Sequence, residues 1–151
     1  YTINNFKGLP HRLEYVYQNK DYLIINNSKA TNFNSSIGSI RIFNNVFLIL
    51  GGKIKNEDFS IFNQVSKNVL KCFIVGESTE IIFNQVSNYF DSCKCFTINK
   101  AVNKIFLDLL KFKSKITILL APACSSFDQF KDFEERGNYF KKIIMKKVPK
   151  E

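Results

Sequence analysis

The chain alternates short apolar runs with longer stretches in which apolar residues recur at helical spacing. Leu13–Tyr17 and Asp21–Asn26 read as strands, and the Gln18-Asn19-Lys20 link is short enough for an antiparallel hairpin. Phe47–Leu50, Cys72–Val75, Cys95–Ile98 and Ile116–Leu120 read as apolar runs rather than alternating ones. Such runs suit parallel strands buried on both faces. Helices are expected over about Asn34–Asn44, Asn56–Leu70, Ser78–Phe90, Lys100–Phe112 and Ser126–Met145. Strands alternating with helices predict an α/β, Rossmann-like architecture. Its mostly parallel six-stranded sheet would have one antiparallel edge strand and helices on both faces.

One hexapeptide occurs twice. Ile61-Phe62-Asn63-Gln64-Val65-Ser66 recurs word for word at Ile82–Ser87. Nothing else repeats at that offset, and both copies fall in expected helices with apolar residues at helical spacing. Core packing accounts for them better than a duplicated unit.

In an open α/β sheet, ligands bind beyond the carboxyl ends of the strands. The second strand is followed by Asn26-Asn27-Ser28-Lys29-Ala30-Thr31-Asn32, the third by Gly51-Gly52-Lys53-Ile54-Lys55, and the last by Pro122-Ala123-Cys124-Ser125-Ser126-Phe127-Asp128. Helix N-termini offer free N–H groups and partial positive charge, to which Thr31 or Ser126 adds a hydroxyl and Lys29 or Lys55 a full charge. That combination suits an anion. Each segment also has a purely structural reading. Ser125 and Asp128 have capping-box spacing, Thr31 and Asn32 could be simple caps, and Gly51-Gly52 could be only a turn. Gly-Gly-Lys is not a P-loop, and no Gly-x-Gly-x-x-Gly occurs, so a complete nucleotide site is not written in this chain.

At 151 residues the chain is long enough for one domain with a core that needs no disulfide or metal staple. It begins at Tyr1, which suggests a piece of a longer protein. Its apolar runs are far shorter than the roughly 18 residues a membrane span needs. The net charge of +9 invites a nucleic-acid reading, and an anion- or nucleic-acid-binding module without catalysis is the alternative to an enzyme. The basic residues are mostly lysine, with Arg12, Arg41 and Arg136 the only arginines. The densest cluster, Lys141, Lys142, Lys146, Lys147 and Lys150, reads as the solvated face and end of a helix. No nucleic-acid-binding motif accompanies it. Cys72, Cys93, Cys95 and Cys124 lack zinc-knuckle spacing and read as reduced packing thiols. A catalytic Cys124 would need a base, for which only His11 is available among histidines.

Four segments, in order along nearly the whole chain, resemble the C-terminal domain of the Mur ligases. They are Phe6-Lys7-Gly8-Leu9-Pro10-His11-Arg12-Leu13-Glu14, Asn27–Asn32, Gly51-Gly52 with Lys55 and Asp58-Phe59, and Pro122–Gly137. The last segment is similar to the branch that adds D-glutamate. The resemblance implies a three-domain, ATP-dependent amide ligase that works in the bacterial cytoplasm as a monomer on peptidoglycan precursors. In that branch a carboxylate of UDP-N-acetylmuramoyl-L-alanine is phosphorylated by ATP, and the amine of D-glutamate attacks the acyl phosphate. Residues 1–151 would be the amino-acid-binding domain. The P-loop and the magnesium ligands would lie in the central domain, and the fragment alone would be inactive.

By the same resemblance, Thr31, Lys55, Ser126 and Phe133 match positions that contact D-glutamate, Phe133 through its backbone. Lys29 matches a catalytic lysine near the reacting phosphate. Arg12 matches an arginine that reaches ATP, and Asn27 stands where the family usually has an Asp beside the nucleotide. An Asn donates and accepts hydrogen bonds but offers no carboxylate. That departure leaves a non-catalytic homologue as a further alternative.

Overall fold

The computed structural model describes residues 9–55 and 57–150. Phe6, Lys7 and Gly8 of the first resembling segment, and the expected helix start at Asn56, lie outside the described residues. Six strands form one sheet: β1 (Glu14–Gln18), β2 (Tyr22–Asn26), β3 (Val46–Gly51), β4 (Val69–Val75), β5 (Ser92–Phe96) and β6 (Ile116–Leu120). Their order is β1-β2-β6-β3-β4-β5. β1 pairs antiparallel with β2, and the other four pairings are parallel. The expected α/β architecture and its antiparallel edge strand are both present. Asn19 closes the hairpin, its Oδ1 accepting from the Asp21 and Tyr22 N–H groups.

β3 carries the core on both faces. Val46, Leu48 and Leu50 enter one apolar layer with Ile37, Ile40, Phe59, Phe62 and Ile82. Phe47 and Ile49 enter the other, with Val102, Ile105, Phe140 and Ile144. The first layer is covered by α1 (Phe33–Ile40), a 3-10 helix over Phe59–Val65, and α2 (Thr79–Val86). The second is covered by α3 (Ile98–Asp108) and α4 (Phe133–Lys147). A strand buried on both sides reads as a continuous apolar run because alternate side chains feed opposite layers.

Several expected boundaries move. The helix expected over Asn56–Leu70 is only the 3-10 helix Phe59–Val65, and Val69 and Leu70 already belong to β4. β5 starts and ends earlier than Cys95–Ile98, because Thr97 caps α3 by accepting from Lys100 N–H, and Ile98 opens that helix. α1 ends at Ile40 and α2 at Val86, each short of the expected end. The largest correction is the final helix, which starts at Phe133 rather than Ser126. Asp132 is its N-cap, accepting from Glu135 N–H at 2.8 Å. The Ser125/Asp128 pair caps no helix. Ser125 Oγ accepts from Phe127 N–H in a local turn, Ser125 carbonyl accepts from Lys53 N–H, and Asp128 Oδ2 accepts from Glu77 N–H at 2.8 Å.

Candidate functional site

The three polar strand ends picked out in the sequence leave β2, β6 and β3, which are neighbours in the sheet. Their loops therefore converge at one edge. Pro122 carbonyl accepts from Gly51 N–H, and Lys53 pairs with Ser125. Gly51 and Gly52 are the reason these loops can approach so closely. Both have positive φ, 129° and 147°. A Cβ on Gly51 would lie 2.0 Å from Val75 carbonyl oxygen, and one on Gly52 2.3 Å from that of Ser125. The pair is more than a turn, because only glycine permits this packing.

Two adjoining cavities open here. The first, about 530 Å³, is lined by Thr31, Lys53, Lys55, Glu57, Ser126 and Phe133 among others. The second, about 550 Å³, is lined by Arg12, Asn27, Lys29, Thr31 and Phe133 among others. Thr31, Asn32 and Phe133 belong to both walls. All seven expected site residues thus gather at this edge. Thr31, Lys55, Ser126 and Phe133 share the first cavity, and Arg12, Asn27 and Lys29 line the second.

Local structure fixes these side chains. Asn32 caps α1, its Oδ1 accepting from Ser35 N–H at 2.9 Å. Thr31 therefore sits one residue before a helix N-terminus, and Phe133 is the first residue of α4. Two helix N-termini border the first cavity, so partial positive charge adds to that of Lys53 and Lys55, against the carboxylates of Glu57 and Asp132 in the same lining. Lys29 lies 5.9 Å above the centre of the Phe133 ring, a cation–π placement that keeps its ammonium at the junction of the cavities. Asn27 is buried, and its Oδ1 accepts from Leu13 N–H at 3.1 Å. An Asp could fill that acceptor role equally.

Sequence reasoning assigned no role to the residue that ties the site together. Arg136 is 2% exposed. Its Nε donates to Ser28 Oγ (2.9 Å), Nη1 to Cys124 carbonyl (2.9 Å) and Nη2 to Ser28 carbonyl (2.8 Å). Ser28 Oγ in turn donates to Phe133 carbonyl at 2.7 Å. One guanidinium thus joins the loop after β2, the loop after β6 and the first turn of α4. Burial pulls its pKa from 12.5 to about 10, with the charges of Cys124 and Asp128 opposing. A signal was present in the sequence. Arg136 precedes Phe140, Ile143 and Ile144 at i+4, i+7 and i+8, so it occupies the buried stripe of α4.

His11 is buried with φ 64° and packs beneath α4. Its Nδ1 is 3.0 Å from Asn26 Nδ2, and its carbonyl accepts from Lys29 N–H. Burial, then the Lys141 charge, holds its pKa below the ordinary 6.5. Gly137 makes room for it, since a Cβ there would lie 2.1 Å from His11 Nδ1. The Cys124 thiol is buried and pushed up to about 12, mainly by that burial, which suits packing and not nucleophilic attack. In the basic cluster, Lys146 and Lys147 lie in the last turn of α4 and are exposed, whereas Lys141 pairs with Glu14 at 2.9 Å. α4 has 15 residues. It is therefore about 22 Å long, which separates those lysines from the cavities. Among the described residues no helix is long and apolar enough to cross a membrane, and no group of three or more His, Cys, Asp or Glu could hold a metal ion.

No protein-family model matches the chain. Curated relatives do. A protein of Prochlorococcus marinus (strain MIT 9312) named UDP-N-acetylmuramoylalanine–D-glutamate ligase is 42% identical over 152 residues, covering 97% of this chain and 32% of the relative. Proteins of the same name from Bdellovibrio bacteriovorus and from Wolbachia sp. subsp. Brugia malayi are 40% and 38% identical, covering 96% and 95% of this chain and 31% and 29% of the relatives. The chain spans about a third of the length of these relatives. Over that third, at 38–42% identity, the chain is similar to proteins named UDP-N-acetylmuramoylalanine–D-glutamate ligase.

Proposed function

We propose that this chain is the D-glutamate-binding, C-terminal domain of a three-domain ATP-dependent ligase of peptidoglycan precursor synthesis. The observation that carries the reading is the convergence of Thr31, Lys55, Ser126 and Phe133 on one cavity. D-Glutamate brings two carboxylates. Lys55 and Lys53 supply full positive charge, Thr31 and Ser126 supply hydroxyl donors, and the N-termini of α1 and α4 add oriented N–H groups.

The neighbouring cavity extends the reading to the phosphates. Arg12 and Asn27 face the nucleotide, and Lys29, between the cavities, stabilises charge that develops on the acyl phosphate of UDP-N-acetylmuramoyl-L-alanine. The domain therefore positions the amine and neutralises charge, and holding two reactants in register is worth up to about 7–11 kcal/mol in well-oriented systems. The P-loop and the magnesium ligands belong to the rest of the enzyme, so the 151 residues alone have no turnover.

The test is Lys55→Ala in the full-length enzyme, with D-glutamate and ATP varied separately. The apparent KM for D-glutamate rises while that for ATP holds. Unchanged D-glutamate kinetics would remove Lys55 from the site and, with it, the main support for this reading.

A further inference from the structure

Cys93 and Cys95 lie on the edge strand β5, far along the sheet from β2, and take no part in the site described above. Residues two apart on a strand share a face. Both side chains accordingly belong to the layer under α3, Cys95 buried in it and Cys93 half-buried against it. Their Sγ atoms are 3.5 Å apart, and both thiols are free. A disulfide requires about 2.05 Å, so the sulfurs need to approach by roughly 1.5 Å.

The backbone at these two residues is irregular. The β4–β5 register slips between Ile74, opposite Lys94, and Val75, opposite Phe96. Cys95 is the extra residue of this bulge, and Phe96 after it has φ 66°. Among the described residues β5 pairs with β4 alone, so one side of the bulge is unconstrained by pairing. The electrostatics divide the roles between the two thiols. The hydrogen bond from Cys95 holds the Cys93 thiol below its ordinary pKa despite partial burial, helped by Lys71 and Lys104 and opposed by Asp108. The same bond, with burial, pushes Cys95 up. Cys93 is thus the more readily ionised of the two, half-buried and in the field of Lys71 and Lys104, which is the setting of a reactive cysteine. Cys72 is fully buried, and its pKa is raised by that burial.

We propose that Cys93 and Cys95 form a reversible modification site that is oxidised to a disulfide by exchange with small-molecule disulfides such as oxidised glutathione. The Cys93 thiolate attacks one sulfur of the small disulfide. That bond breaks, one half leaves as a thiolate, and a mixed disulfide forms on Cys93. The Cys95 sulfur then attacks Cys93 Sγ and expels the second half, its proton passing to the departing thiolate. Two protein thiols are oxidised, and one small disulfide is reduced to two thiols.

The reduced protein is treated under native conditions with oxidised glutathione and read by intact mass and by mapping of alkylated peptides. The wild type is expected to lose about 2 Da, the two hydrogens of the thiol pair. The peptide holding Cys93 and Cys95 is expected to resist alkylation until reductant is added. The Cys95→Ser variant, which lacks the resolving thiol, accumulates the glutathione adduct on Cys93. The proposal is overturned if all four wild-type cysteines stay alkylatable, if the wild type stops at the mixed disulfide, or if the lost hydrogens map to another pair.

Discussion

Replacing Arg136 with Met tests whether one buried guanidinium holds the site loops together. Met preserves most of the side-chain volume but removes all three donors. Hydrogen bonds from a charged group are worth about 1.5–3 kcal/mol each, so three set a gross loss of roughly 5–9 kcal/mol. Ser28 and Cys124 carbonyls, both in buried surroundings, lose a donor they now have. An opposing effect comes from the charge itself. Burial lowers the Arg136 pKa from 12.5 to about 10. That difference corresponds to roughly 3 kcal/mol of unfavourable charge burial, which the variant no longer carries. The hydrogen bonds win, and the net destabilisation is roughly 2–6 kcal/mol. With a urea dependence of about 1–3 kcal/mol per molar, the midpoint of urea unfolding falls by at least about 0.7 M. Arg136→Lys should recover little of this, since an ammonium keeps the charge but lacks the planar fork that spans Ser28 and Cys124. An unfolding midpoint for Arg136→Met within about 0.3 M of wild type would refute the reasoning.

Four further outcomes follow from the same geometry. Gly137→Ala drives a methyl into His11 and Asn26, and such overpacking costs about 1–3 kcal/mol, seen as a lower melting temperature. His11 is held neutral by burial below its ordinary pKa of 6.5. Because the unfolded chain binds that proton more tightly, the His11 contribution to stability is complete above pH 6.5 and is lost as pH falls through the lowered folded value; unfolding of His11→Gln followed against pH should lack this component. For Asp108, burial raises the pKa but Lys71, Lys104 and Lys111 outweigh it. Its contribution is therefore present above pH 3.8 and lost below, and Asp108→Asn removes that acid limb. Asn27→Asp retains the acceptor for Leu13 N–H, so urea unfolding should stay within about 1 kcal/mol of wild type while the apparent KM for ATP changes.

The sheet was legible because a two-faced burial leaves an unmistakable mark. All five residues of Ile116–Leu120 are buried, as a continuous apolar run requires. Strand order was not legible, because nothing local in β6 says that it inserts between β2 and β3. That insertion is nevertheless what brings the three polar strand ends together. Helix type was hidden for a related reason. Ile61–Ser66 and Ile82–Ser87 are identical, yet the first lies in a 3-10 helix with Phe62 and Val65 buried, and the second in α2 with Ile82 and Val86 buried. Spacing of three in one copy and four in the other is set by what each packs against, so tertiary contacts override identical local preference. The late start of α4 has a similar cause. Ser125 and Asp128 resemble a cap in sequence but bond across to the ends of β3 and β4, and Asp132 caps instead. Arg136 escaped notice because a charged residue on an apolar stripe reads as a solvated exception, whereas here it is the bridge between loops that are distant in sequence.

The central claim is that the first cavity receives D-glutamate. A crystal structure of the full-length enzyme with D-glutamate bound tests it most directly. Both carboxylates are expected within hydrogen-bonding distance of Thr31, Lys55, Ser126 and the Phe133 backbone, with the amine directed toward Lys29. D-Glutamate bound elsewhere, with no contact to Lys55 or Ser126, would contradict it.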